Sequence, residues 1–196
     1  MVVHGAGRVP EIDDLDLEAA SLERENNKGI KVNEYLQSVS NSAVYAAGDA
    51  AASEGLPLTP VATYEGEIVG TNLLEGNHVK PNYQGVPSVV FTIPPLASVG
   101  LQEEVARKQG LHFRTNKAST AAWYSSRRIG ENYSGFKVLI EDDTDRILGA
   151  HILGSHAEEV INIFAIAIRL GLKAGDIKQA IFSYPTNSSD ISYMLY

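Results

Sequence analysis

Phe136-Lys137-Val138-Leu139-Ile140-Glu141 and Arg146-Ile147-Leu148-Gly149-Ala150-His151-Ile152 flank the acidic tetrapeptide Asp142-Asp143-Thr144-Asp145. Two β-type runs joined by so short and polar a link predict an antiparallel hairpin. Just beyond it, Ser155 and Glu158 have the spacing of a capping box, and Gly171 is placed to close the helix they open. That helix carries Val160, Ile161, Ile163, Phe164, Ile166, Ile168 and Leu170, which fall on more than one face. A helix so apolar needs cover on several sides. In a domain this small the expected second cover is a two-fold partner, so the sequence predicts a homodimer.

Outward from the hairpin, Ser88–Thr92 and Ala97–Gly100 are β-type and are split by Pro94-Pro95. Gln102–Gln109 reads as a short helix stopped by Gly110, residues 111–117 as a strand, and residues 173–181 as a last short helix. The texture of this half, from residue 84 to 196, is that of an α+β domain with an antiparallel sheet and flanking helices. Residues 1–83 read differently. Val2-Val3-His4-Gly5-Ala6-Gly7-Arg8 resembles the end of a buried strand breaking into a glycine turn, and residues 11–28 form an acidic surface loop with a helical turn near Leu15–Leu22. Short strands are expected at 29–32 and 43–46, the second ending at Gly48-Asp49. Thr59-Pro60 then opens a helix to about Leu74, with Thr59 as N-cap and Pro60 at the first helical position, where its missing N–H costs nothing.

The formal charge of −8 opposes nucleic acid and anionic membrane surfaces as partners. No run approaches the ~20 apolar residues of a membrane span, and no secretory pattern follows Met1, so the chain reads as cytoplasmic. With no cysteine there is no disulfide and no thiolate in these 196 residues. The five histidines, His4, His78, His112, His151 and His156, show no metal-ligand spacing. His156 sits beside Glu158 and Glu159, but acidic residues there suit the first turn of a helix. Arg127-Arg128 reads as a solvated pair, and no G-x-S-x-G, P-loop or G-x-G-x-x-G pattern occurs.

Five segments in order rise above this background: Gly5-Ala6-Gly7-Arg8-Val9-Pro10, Val44-Tyr45-Ala46-Ala47-Gly48-Asp49, Leu58-Thr59-Pro60-Val61-Ala62, Val86–Thr92, and Gly149-Ala150-His151-Ile152-Leu153-Gly154. Together they resemble the pyridine nucleotide-disulfide oxidoreductases of the glutathione reductase and dihydrolipoamide dehydrogenase type. The resemblance implies that 84–196 is the dimerisation domain and that 1–83 is a remnant of an FAD-binding α/β domain. It makes Asp49 the carboxylate that accepts a hydrogen bond from the ribityl chain of FAD. It also aims the start of the 59–74 helix (Thr59, Pro60, Val61, Ala62) at the pyrimidine edge of the flavin, where free N–H groups favour negative charge.

The parent so implied passes hydride from NAD(P)H through FAD to a disulfide or another acceptor. The family's pyrophosphate fingerprint and paired cysteines are not among these residues. The chain is therefore expected to be cut from a longer parent, to be inactive alone and to hold no FAD. The alternative is a non-catalytic dimerisation module acting by itself. One motif departs from the family: its His-Pro-Thr appears here as Tyr184-Pro185-Thr186, with Ser189 and Asp190 following. Tyr184 takes the position of the catalytic histidine and would be contributed across the dimer. A phenol with a pKa of about 10 does not exchange protons at neutral pH as imidazole does. Tyrosine also stands near this place in mercuric reductases, but those have a C-terminal cysteine pair. The competing reading has Tyr184 filling core space with its hydroxyl on a backbone group.

Overall fold

The computed structural model describes residues 1–26 and 28–196. Asn27, inside the loop expected over 11–28, lies outside the described residues. The chain divides into two compact units, Met1–Tyr83 and Gln84–Tyr196.

Unit 1 is organised by one helix, α1 (Thr59–Glu75). Its N-cap is Leu58, with no side-chain cap, so Thr59 is the first helical residue and Pro60 the second, one place later than expected. Either position spares Pro60 an intrahelical donor it lacks. The buried face of α1 is Val61, Glu65, Ile68 and Asn72, at helical spacing. Two polar residues in that stripe act as clamps. The Asn72 amide donates to the carbonyls of Tyr35 and Val79, and its oxygen accepts from the N–H groups of His78 and Val79. This satisfies all of its hydrogen-bonding groups in one buried place.

The strands expected at 29–32 and 43–46 are only single bridges: Ile30 with Arg24 and Ala51, Val32 with Ser38, and Tyr45 with Gln37. A β-type run becomes a ladder only where a neighbour lies alongside it. Here each run meets turns. Val2 and Val3 are exposed rather than the end of a buried strand. The core of unit 1 is correspondingly small, with Ile12, Ile30 and Ala46 at its centre.

Unit 2 holds the five-stranded antiparallel sheet. Its strands are β1 (Ser88–Val90), β2 (Leu96–Gly100), β3 (Phe113–Ser119), β4 (Gly135–Glu141) and β5 (Ile147–Leu153), in the order β1-β2-β5-β4-β3. The hairpin of β4 and β5 lies in the middle of the sheet, in continuous register from Gly135–Leu153 to Leu139–Gly149. Alternation fixes the faces: Ala97, Val99, Phe136, Val138, Ala150 and Ile152 point into the core. The helices are α2 (Glu103–Lys108), α3 (Tyr124–Ile129), α4 (Ala157–Leu170), α5 (Ala174–Gln179) and α6 (Ile191–Met194). Of these α3 and α6 were not expected, being too short to show a periodic pattern.

The start of α4 differs from its sequence signature. His156, at φ 64°, precedes the helix with no side-chain cap, and Ser155 bonds Glu131 instead at 3.5 Å. The Gly154 N–H is tied to the carbonyl of Pro95, which holds Ser155 out of capping position. More of α4 is covered within the chain than its apolar circumference suggested. Val160, Ile161, Phe164, Ala165, Ala167 and Ile168 are buried, while Ile166 and Leu170, one turn apart, are exposed.

The helix α2 is fastened to the opposite face of the sheet by Glu103, which takes Lys137 and Arg107 at 2.8 Å each. Lys137, and then Arg107, hold the Glu103 carboxyl at about 2, below the ordinary glutamate range. A folded-state value below the unfolded one gives stability that is present above about pH 4.3 and lost as pH falls towards 2. Asp145, lowered chiefly by Arg114, acts in the same direction. We expect the urea midpoint of unit 2 to fall between about pH 5 and about pH 2.5, and Glu103→Gln to flatten that slope. An unchanged slope would show that the Glu103 pair contributes nothing.

Candidate functional site

In unit 1 the site forms where a single turn of 3-10 helix, Gly48–Ala50, meets the start of α1. Gly48 has φ 61°, and a Cβ there would lie 2.7 Å from that of Ala62. Only glycine allows both the left-handed turn and this approach. Asp49 follows, exposed, with its carboxylate 3.8 Å from the Arg8 guanidinium, which itself donates to the carbonyl of Pro57 at 2.8 Å. A pocket of about 340 Å³ opens beside them, lined by Arg8, Lys28, Asp49, Leu56, Val61 and Glu65 among others. Gly48, Asp49 and Val61 thus share one site. Thr59 and Pro60 are exposed at the start of the same helix, and Ala62 packs on Gly48.

Glu65 was missed in the sequence. It is wholly buried, and its carboxylate accepts from the Gly48 N–H at 2.6 Å, the Ser53 hydroxyl at 2.7 Å and the Tyr83 hydroxyl at 2.5 Å. A buried carboxylate persists only when so satisfied. Burial, and then the bond to Glu65, hold the Tyr83 hydroxyl well above the usual phenol range, so it stays a donor. Glu65 therefore fixes the turn that presents Asp49. The signal was available in part: four-residue spacing from Val61 and three-residue spacing to Ile68 place position 65 on the buried stripe.

Tyr184 belongs to the other unit. Its side chain is 75% exposed, and its hydroxyl has no hydrogen bond among the described residues. That geometry overturns the core-packing alternative. The segment behind it is held firmly: Thr186 Oγ1 donates to the carbonyl of Ser183 at 2.6 Å, and Ser189 closes a box with Thr186. Ser125 donates to Asp190, whose carboxyl burial pushes up. Neither Ser189 nor Asp190 bonds the phenol. Among the described residues there is no group of three or more His, Asp or Glu placed to hold a metal, and no helix is long and apolar enough to cross a membrane.

The family resemblance meets the geometry at the scale of whole domains. Residues 86–195 match the dimerisation domain of pyridine nucleotide-disulphide oxidoreductases, and residues 1–66 match the pyridine nucleotide-disulphide oxidoreductase model. A Staphylococcus aureus protein described as an uncharacterized 19.7 kDa protein in the mercuric resistance operon is 50% identical over 181 residues, 92% of this chain and 100% of that one. Mercuric reductase from Lysinibacillus sphaericus is 35% identical over 92% of this chain, which spans 32% of the reductase. Among solved structures, a Cu(II) complex of the HOCl-induced flavoprotein disulfide reductase RclA from Escherichia coli is similar at TM-score 0.87 and 28% identity. The match covers 97% of this chain and 43% of that one.

Proposed function

Because this chain belongs to the pyridine nucleotide-disulphide oxidoreductase family, we propose that it is a dimerisation module whose 84–196 unit holds two copies together and carries no oxidoreductase chemistry by itself. One observation carries the reading: unit 2 leaves a set of large apolar side chains uncovered. Val90, Leu96 and Leu153 are cross-strand neighbours in one row of the sheet, and Phe91 and Ile93 extend from the adjoining turn. Ile166 and Leu170 form a separate exposed stripe on α4, which packs against the other face of the sheet. Single exposed apolar residues are ordinary, but grouped ones mark an interaction surface. The charge distribution agrees. Unit 2 has eleven basic and eleven acidic residues, so no net charge opposes the approach of a like unit, whereas unit 1 has five and thirteen.

The site in unit 1 supports a second statement about a longer parent. There Asp49 would hold the ribityl chain of FAD, with the start of α1 (Thr59, Pro60, Val61, Ala62) at the ring, NAD(P)H as reductant and Tyr184 near the acceptor. A pocket of about 340 Å³ is at the small end of ligand sites, ~300–1,000 Å³. It fits part of a flavin. No glycine-rich turn is present to take a pyrophosphate. The pairing reading is tested by sedimentation equilibrium at micromolar concentration. A two-chain mass is expected, and pairing should tighten from low to moderate salt as repulsion between the acidic units is screened. A single-chain mass throughout would overturn it.

A further inference from the structure

We propose that the sheet face of unit 2 turned away from α4 carries a binding site for a small amphipathic acid, an apolar body bearing one carboxylate or phosphate. The strand register builds its charged part. Lys117 on β3 is opposite Lys137 on β4, Lys137 is opposite His151 on β5, and His151 is opposite Ser98 on β2. Because Phe136, Val138, Ala150 and Ile152 point into the core, this alternate row points the other way. Like charges directly opposite one another destabilise a sheet. Glu103 offsets Lys137 at 2.8 Å, but the Lys117 side chain has no ion pair or hydrogen bond among the described residues. A lysine on an edge strand also discourages edge pairing, yet that duty asks for no second lysine on the inner strand β4.

The next row along the strands is Ser119, Gly135, Leu153 and Leu96. Gly135 is required there, since a Cβ would lie 2.9 Å from the carbonyl oxygen of Ala118, and its missing side chain leaves the row open. The result is a hollow of about 540 Å³, lined by Lys117 and Lys137 from one row and by the exposed Leu153 and Leu96 from the next. That volume is within the ~300–1,000 Å³ of small-molecule sites. Among the described residues that line it none is acidic. Burial, with Lys137 beside it, holds His151 below the ordinary histidine range, so at neutral pH the positive charge lining the hollow rests on the two lysines. Positive charge beside exposed leucines matches a ligand with both characters, which neither a bare inorganic anion nor a neutral hydrocarbon has. The site draws Leu96 and Leu153 out of the apolar set described above and leaves the α4 stripe, on the other face, to pairing.

The test is a titration of the whole chain with octanoate and with octyl phosphate, each below its micelle concentration, followed by amide chemical shifts in NMR. Saturable shifts are expected at Lys117, Ser119, Gly135 and Leu153 with at least one of the two, and the tighter of them identifies the acid group. Lys117→Gln should weaken binding about tenfold, equivalent to ~1.4 kcal/mol. Octanol and inorganic phosphate, each with half of the chemistry, should bind more weakly by at least about the same factor. Ile166→Glu, on the other face, should leave the affinity unchanged. Absence of saturable shifts at these residues overturns the site and leaves pairing, read separately from the mass, standing. Equal binding by Lys117→Gln, or octanol bound as tightly as octanoate, overturns it too, because the leucines alone then hold the ligand. A Lys117→Gln chain whose assembly mass differs from wild type gives the lysine row to a protein contact and overturns the site as well.

Discussion

Ile166→Glu is expected to convert the pair to monomers while each copy stays folded. Ile166 is 56% exposed within its own chain, so the substitution removes little from the core that Val160, Phe164 and Ala167 form behind it. In the proposed pair the partner would cover the same position, and a carboxylate there would lose its water without gaining a donor. Loss of the isoleucine contact is worth roughly 1.5–3 kcal/mol, and the stranded charge adds to it. Two-fold symmetry applies the penalty twice. A thousandfold weakening, ~4 kcal/mol, is the modest expectation. Sedimentation velocity over a dilution series would show it, with far-ultraviolet circular dichroism unchanged. Ile166→Glu chains that pair with wild-type affinity would remove α4 from the interface. Leu170→Glu, one turn along the same stripe, should act in the same direction.

The elements legible in the sequence were those whose evidence is local. The β4–β5 hairpin announces itself because alternation along Phe136, Val138 and Ile140, and then Ala150 and Ile152, needs no knowledge of distant residues. Its acidic turn needs none either. The α4 cap was misread because Ser155 and Glu158 have the right spacing, while a contact from Gly154 to Pro95, fifty-nine positions earlier, decides where the helix begins. The runs at 29–32 and 43–46 were over-read for the complementary reason. Their composition is that of strands, but a strand is a relation between segments, and here Ile30 and Tyr45 find only isolated bridges. Asp49 and α1 stand together in one site, yet their alignment depends on Glu65, and a glutamate in a helix ordinarily reads as a solvated residue. Only its place on the Val61–Ile68 stripe argues otherwise.

Glu65 should accordingly be the residue on which unit 1 depends most. Glu65→Ala removes a wholly buried acceptor group and leaves three donors, on Gly48, Ser53 and Tyr83, without their common partner. Each unpaired donor costs about 1–3 kcal/mol, so a loss of roughly 3 kcal/mol or more is expected even after relaxation. Unit 1 has a small apolar core with which to absorb that loss. Its residues should therefore open while unit 2, with its own sheet and helix core, remains protected. Amide exchange followed by NMR would show protection falling at Gly48, Ala51 and Ala52, whose N–H groups are bonded around this turn, and holding at Val138, Ile140 and Ile161. Glu65→Gln should lie between, because its oxygen accepts but its amide nitrogen points a further donor at donors. Pairing, proposed here for unit 2, should be unaffected by either change. Wild-type protection at Ala51 and Ala52 in Glu65→Ala would mean that the turn presenting Asp49 is held by its backbone alone.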